Sequence, residues 1–396
     1  MNILIERIPN TYNYGSFMMA INTIYNINKQ MKDVKFWTDV LLEEDLDRLK
    51  MDTGINNIYK YEKVNFEGNK IKKYINMRRY YRDNYDAIII LGGDDISEYY
   101  SINSLMYRLK KMYLNTLMGV KVILLGQTIG PFTGKRVFIS KIVLNRTRIY
   151  VRDVKCLDYL EKIGIKNVID GRDLAFLDLP RKGTDILERY GLVSNEYITI
   201  VASGLYKWYT SDYDTYIQEY ISIIEGLLES ERIKGKKIVL LAHVLKPDKV
   251  DDRKVIVDLQ KKLNKWDGKI VYITEKLLAS EAREILINGF FTISGRMHAA
   301  VSTFYGRKPA ISLSYSVKYE GVIGRGLGRN DLIIESSGEE YWRNNYISNM
   351  VYKKVCYVVD NYDKLVKEID EKVESVEKIV KCEIDDVVRY LNNCTD

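Results

Sequence analysis

Histidine is almost missing from this chain of 396 residues: there are two, alongside four cysteines and five prolines. Metal centres need several ligands at close spacing, and here histidine, cysteine and carboxylates never gather that way, so no metal site is expected. The cysteines, Cys156, Cys356, Cys382 and Cys394, stand far apart without a CxxC pair in a chain large enough to fold without disulfides, which points to a reduced, cytoplasmic setting. Long apolar runs are missing too. Nothing approaches the roughly 18 residues needed to cross a bilayer, and the apolar start "MNILIERIPN" carries Glu6 before it reaches the length of a signal segment.

What is present is ordinary globular material. Hydrophobic residues make up 46% and charged residues 29%, which excludes disorder and collagen-like structure. A chain of 396 residues exceeds the about 250–300 that one core usually holds, so two domains are expected. Net charge is a modest +7, concentrated in residues 69–86, "NKIKKYINMRRYYRDNYD", where Lys70, Lys72, Lys73, Arg78, Arg79 and Arg82 stand among tyrosines. A solvated helix face is one reading of this segment; a patch for anionic lipid headgroups or a pyrophosphate-bearing substrate is the other. No nucleic-acid module accompanies it, so no nucleic-acid partner is expected.

Apolar runs alternate with stretches of helical period. Strands are expected at 2–7, 87–91, 121–125, 149–151 and 168–169, then at 197–202, 237–242, 269–273, 290–293 and 309–314. Several, such as "AIIIL" and "KIVLLA", are continuously apolar, as strands covered on both faces must be. Helices are expected at 16–30, 102–118, 154–163, 213–230, 252–263, 280–287 and 297–305, with more in the tail 360–390. The fold class is therefore α/β, with mostly parallel, doubly wound sheets in two Rossmann-like domains, 1–180 and 197–396, joined by the polar stretch 178–197. Ligands of such sheets bind beyond the carboxyl ends of the strands, so those ends hold the candidates.

In "PNTYNYGSF", Asn13 and Gly15 precede a helix placed near Ser16. "LGGDD" offers Gly92 and Gly93 as a tight turn or a close backbone approach, and Asp94 and Asp95 as metal ligands or, preferably, a cap for the next helix. Gly126, Gln127 and Thr128 in "GQTIGPF" suggest a rigid loop whose amides cradle an anion. Arg152 reads as a partner of Asp153 or as a substrate ligand. Both histidines end strands: His243 in "LLAHVLK" and His298 in "SGRMHAA", with Arg296 beside the second and Tyr315 and Lys318 in "SYSVK" beyond. A structural and a positioning role stand evenly for His243. Together these residues suit a small anionic substrate, since Arg offers a planar fork, Lys a point charge, and histidine exchanges protons near neutrality.

Taken in order, "NYGS", "LGGDD", "GQTIGPF", "VRD" with "DGRDLAF", "AHVLKPDKVDDR", "SGRMHAA" and "SYSVK" resemble the polysaccharide pyruvyl transferase family over residues 13–318. The resemblance implies a GT-B-like fold, two Rossmann-like domains facing across a cleft, with the first domain on the acceptor side and the second on the donor side. It also implies transfer of the pyruvyl group of phosphoenolpyruvate onto two hydroxyls of a sugar, giving a cyclic ketal and phosphate, with phosphoenolpyruvate as donor substrate and no cofactor. Carried over by position, Arg152, His298 and Lys318 are the catalytic candidates, with Asp173 matching the family's aspartate. Arg296, Gly126, Gln127, Thr128, Tyr315 and His243 are donor-side candidates, and Asn13, Gly15, Asp94 and Asp95 acceptor-side ones. The chain departs from the family at Ser16, where many relatives are acidic, and at Asp94, which replaces a third glycine. Lipid-linked saccharides among the family's acceptors imply contact with the inner face of an anionic plasma membrane. The alternative is a GT-B glycosyltransferase with a nucleotide-sugar donor, its pyrophosphate in the cationic pocket and its ribose on Glu320.

Overall fold

The computed structural model describes residues 1–62, 64–99 and 101–393. Cys394 lies outside them. By their contacts the residues divide into two units. The first comprises Met1–Thr11, Met19–Pro180 and the chain from Lys378 on; the second comprises Tyr12–Met18 and Arg181–Glu377. Two segments thus change sides relative to the expected boundaries.

In chain order the elements up to residue 180 are β1 (Asn2–Glu6), α1 (Tyr14–Gln30), β2 (Lys35–Thr38), α2 (Glu43–Thr53), β3 (Ile58–Lys60), α3 (Lys70–Asn84), β4 (Ala87–Leu91), α4 (Ile102–Leu117), β5 (Lys121–Gln127), α5 (Lys135–Leu144), β6 (Arg148–Val151), α6 (Val154–Lys162) and β7 (Val168–Asp170). The strands form one all-parallel sheet in the order β3-β2-β1-β4-β5-β6-β7. From residue 181 follow α7 (Ile186–Arg189), β8 (Tyr197–Val201), α8 (Tyr213–Glu229), β9 (Lys237–Leu241), α9 (Asp252–Lys262), β10 (Ile270–Ile273), α10 (Ala279–Asn288), β11 (Thr292–Ser294), α11 (Met297–Tyr305), β12 (Ala310–Ser314), β13 (Ile333–Glu335), α12 (Tyr346–Asp360) and α13 (Tyr362–Asn392). Their sheet is also parallel, ordered β10-β9-β8-β11-β12-β13.

The central strands are buried along their length. Every residue of β8 and β12 is buried, as are the last six of β5 and the last four of β9. Helices on both faces remove both sets of side chains from water, which is why these strands read as unbroken apolar runs. Each sheet reverses its order once, between β1 and β4 in the first unit and between β8 and β11 in the second. At such a reversal the two flanking loops leave in opposite directions and open a crevice at the carboxyl ends.

The stretch 178–197 is no loose tether. Thr184 donates its Oγ1–H to Glu284 Oε2 at 2.8 Å, Arg181 and Arg189 each lie 3.7 Å from Glu281, and α7 occupies its middle. The tail is one long helix, α13, rather than several.

Candidate active site

In the second unit the loops after β8, β9 and β11 assemble around one carboxylate. Asp252, fully buried at the start of α9, accepts Gly204 N–H at 2.7 Å on Oδ1 and the N–H groups of His243 and Val244 at 3.1 and 2.8 Å on Oδ2. Its Oδ1 also takes Arg296 Nε and Nη2 at 3.1 and 2.6 Å. One side chain therefore ties together the ends of β8, β9 and β11. Arg296 donates further to Val250 O at 2.6 Å and is only 7% exposed. Burial alone would lower its pKa, but Asp252 outweighs burial and raises it. Arg296 thus braces the crevice rather than reaching into it.

Sequence reasoning missed Asp252, although it quoted the motif containing it. Of the adjacent pair, Asp251 caps α9 by accepting Arg253 N–H at 2.9 Å, and a second aspartate beside a cap carries no separate signal.

His243 ends β9 in a closed environment. Its carbonyl accepts Tyr14 N–H at 3.2 Å, and the Tyr14 ring meets the imidazole edge-on with centroids 5.5 Å apart. Burial, then the neighbouring His298, Arg296 and Arg283, push its pKa well below the ordinary value, so His243 is neutral. Arg283 on α10, also missed from sequence, is buried, with Nη2 3.1 Å from Met18 Sδ and its guanidinium 4.8 Å from the Tyr305 ring centroid.

His298 lies in the first turn of α11 and is half-buried. Gly15 lies in the first turn of α1, which starts at Tyr14, two residues before the expected boundary. The two residues touch: a Cβ on Gly15 would stand 2.3 Å from His298 Nδ1 and 2.4 Å from Cγ. Only glycine fits there. Asn13 Oδ1 accepts Ser16 N–H at 3.4 Å, and Asn13 forms an antiparallel bridge with Val244. This pins the first turn of α1 against the imidazole. The N-terminal ends of α1 and α11 are thereby brought together, and both carry partial positive charge.

Beyond β12, Lys318 Nζ donates to Tyr315 Oη at 2.8 Å. The Tyr315 ring packs on Trp208, Tyr209 and Tyr319 at 5.9, 5.4 and 5.4 Å. Tyr209 and Tyr319 in turn donate their hydroxyls to Gly295 O at 2.8 and 3.0 Å, which fixes the turn leading to His298. Lys318 begins a helical stretch whose next residues, Glu320–Arg325, form a widened π turn, and a cavity of about 580 Å³ opens beside Ser314–Val317, Glu320 and Glu335. Glu320 sits 3.3 Å from Arg325.

The first unit places its candidates differently. Arg152 is 3% exposed, with Nε donating to Thr128 Oγ1 at 2.8 Å and Nη1 3.7 Å from Asp173. Asp153 caps α6 and accepts the Thr128 hydroxyl at 3.0 Å. Gly126 belongs to β5 at a register shift, and Gln127 is fully buried, donating Nε2–H to the carbonyls of Ile90 and Leu91. The amides expected to cradle an anion are taken inside the protein. Thr128 N–H goes to Gly93 O at 2.9 Å, Ile129 N–H to Cys156 Sγ at 3.1 Å and Gly130 N–H to Ile96 O at 2.8 Å. Asp94 and Asp95 are not the cap of the next helix, α4, which is Ser101. Asp95 pairs with Arg7 and Arg108, and Asp94 O accepts the Ser97 hydroxyl at 2.6 Å. Among the described residues, no three of His, Cys, Asp and Glu gather as a metal would require.

Comparison with known proteins gives matches in both sequence and fold. The family model "Polysaccharide pyruvyl transferase" matches residues 13–317. The amylovoran biosynthesis protein AmsJ of Erwinia amylovora is 24% identical over 305 residues, 73% of this chain and 69% of that protein. Among solved structures, a Staphylococcus aureus MnaA structure with UDP superposes with a TM-score of 0.62 at 12% identity, covering 100% of this chain and 98% of that one. The UDP-GlcNAc 2-epimerase of Neisseria meningitidis bound to UDP-GlcNAc gives 0.62 at 10% identity, covering 98% and 100%. At such identities the likeness shows the fold, two Rossmann-like domains of the GT-B-like kind.

Proposed function

Because this chain belongs to the polysaccharide pyruvyl transferase family, we propose that it moves the pyruvyl group of phosphoenolpyruvate onto two hydroxyls of one sugar, forming a cyclic ketal and releasing phosphate. The observation that carries this reading is the half-buried His298 held against Gly15 where two helix N-termini meet, with Lys318 on the next loop but one. Phosphoenolpyruvate is a compact anion whose C3 must gain a proton and whose phosphate must leave. An imidazole beside two positive helix ends suits both steps.

The reaction balances as follows. His298 delivers a proton to C3, the C2–C3 double bond becomes a methyl group on an electron-poor C2, and the first sugar hydroxyl adds there. The C2–O bond to phosphate then breaks, its electron pair leaving with the phosphate, and the second hydroxyl closes the ketal. Of the two hydroxyl protons, one replaces the proton given to C3 and the other departs with phosphate. Lys318, oriented by Tyr315, meets the donor's carboxylate or phosphate as a point charge, and Trp208 offers an aromatic face for a sugar ring. Arg296 and Asp252 hold the loops in register. Arg152 does the same for the ends of β5 and β6, which moves it from the catalytic candidates to the bracing ones.

The synthesis of amylovoran, in which the relative AmsJ is named, supports a saccharide acceptor. Incubation with phosphoenolpyruvate and a saccharide carrying a free 1,2- or 1,3-diol should release phosphate and add one pyruvyl ketal by mass spectrometry. Release of a nucleotide from a nucleotide sugar, with no phosphate from phosphoenolpyruvate, would favour a glycosyltransferase instead.

A further inference from the structure

The surface formed by α3, α4 and α5 of the first unit is rich in cations and poor in carboxylates. In sequence, α3 has six Lys or Arg against the single Asp83, while α4 and α5 have three each and no carboxylate. By contrast α8 has four carboxylates and no cation. Some of the cations are neutralised within the fold: Arg108 by Asp95, Lys111 by Glu6 and Arg136 by Glu98. Lys72, Lys73, Arg79, Lys110, Lys135 and Lys141 pair with no carboxylate among the described residues.

Large apolar side chains stand exposed on the same three helices: Ile71 at 71%, Ile75 at 47%, Tyr107 at 59%, Phe138 at 67% and Ile142 at 43%. Phe138 and Ile142 are one helical turn apart and share a face of α5. An apolar groove of about 560 Å³ joins the helices, running from Tyr74 of α3 past Met106 and Tyr113 of α4 to Ile142 of α5. Lys110 caps its edge, with Nζ 3.9 Å from the Tyr74 ring centroid.

Apolar side chains set among unpaired cations, with few carboxylates, match the chemistry of an anionic bilayer surface. Its headgroups attract Lys and Arg, and its interface accepts Phe, Ile and Tyr. Phe138 and Ile142 form an exposed apolar pair on one face of α5, flanked by Lys135, Arg136 and Lys141, rather than a single scattered side chain. We propose that the α3–α4–α5 face seats the protein on a membrane containing anionic lipid, with Phe138 and Ile142 entering the headgroup layer and the groove beside them lying against acyl chains. The net positive charge, with Asp83 the single carboxylate on the three helices, favours this occupant over a second copy of the chain, whose identical face would repel it. Among the described residues no helix is long and apolar enough to cross a membrane, so this attachment is peripheral. It does not rest on the reaction proposed above.

The full chain should co-sediment with vesicles of phosphatidylcholine and phosphatidylglycerol, release in high salt, and leave vesicles of phosphatidylcholine alone in suspension. The double variant Phe138→Glu, Ile142→Glu should lower binding at least about tenfold, and Lys110→Gln with Lys141→Gln about fivefold per charge removed. Circular dichroism and an unchanged melting temperature check that each variant folds. Equal binding to neutral vesicles, or binding untouched by either double variant, overturns the proposal. So does light scattering showing a dimer that Phe138→Glu, Ile142→Glu dissociates while no vesicle binding is seen, which assigns the face to a second copy.

Discussion

Both units end their strands in cations and hydroxyls, yet those residues live in opposite surroundings. In the first, Arg152 is 3% exposed and held by Thr128 and Asp173, while Gln127 and the amides of the loop after β5 are spent on neighbouring backbone and on Cys156. In the second, Arg296 is spent in the same way on Asp252, but His298 and Lys318 in the neighbouring loops stay half-buried. A polar residue at a strand end is therefore not yet a working group. What distinguishes them is exposure: Arg152 and Arg296 are shut away from solvent, whereas His298 and Lys318 are half-exposed.

The sharpest test of that contrast is His298→Ala, which should cut turnover by about 10²–10⁴ while leaving the melting temperature nearly unchanged. A rate within a few-fold of the original would remove the imidazole from the chemistry. Arg152→Ala should show the reverse emphasis. Taking one partner from a buried charge pair costs about 3–5 kcal/mol, so chemical denaturation should reveal a large stability loss, with Asp252→Ala a parallel case in the second unit. If Arg152→Ala kept full stability and lost only activity, the two units would no longer differ as described.

Gly15→Ala probes the boundary between brace and working group. The added methyl forces the imidazole aside, and a displacement of about 1 Å at a reacting group costs on the order of 10² in rate. Steady-state kinetics should show the fall in kcat with a much smaller change in stability. The smallest effect concerns His243. Its pKa is depressed by burial, so below about 6.5 the unfolded chain takes up a proton that the folded chain does not. Stability then falls as pH falls, by about 1.4 kcal/mol per pH unit until the folded group itself titrates. In His243→Gln, melting curves between pH 7.5 and 5.5 should lose that contribution. An identical pH slope in both proteins would show that His243 is not buried neutral.

How much of this was legible in the sequence follows from burial. The strands β4, β5, β8, β9 and β12 are covered on both faces, and their apolar runs stand out. The short strands β2, β3 and β13, "KFWT", "IYK" and "IIE", were not expected, because three or four residues near a sheet edge carry too little periodicity. Likewise α2, with charges through its length, and α5, short and strongly basic, gave no clear helical stripe. The rarity of histidine led directly to His243 and His298. The contact of His298 with Gly15 was invisible, since the two residues lie at opposite ends of the family match and only folding joins them. Gln127, Thr128 and their glycines looked like a cradle because sequence shows which amides a loop contains but not which carbonyls they already serve.

Because residues 12–18 belong to the second unit by their contacts, the gene cannot be divided cleanly at the polar stretch near residue 180. A fragment beginning at Arg181 would lose the Tyr14 hydroxyl that accepts Leu277 N–H at 2.9 Å, the backbone partner of Val244, and the glycine floor beneath His298. Anyone seeking the second unit alone would need to graft that heptapeptide back onto it, or circularly permute the chain so that it stays attached.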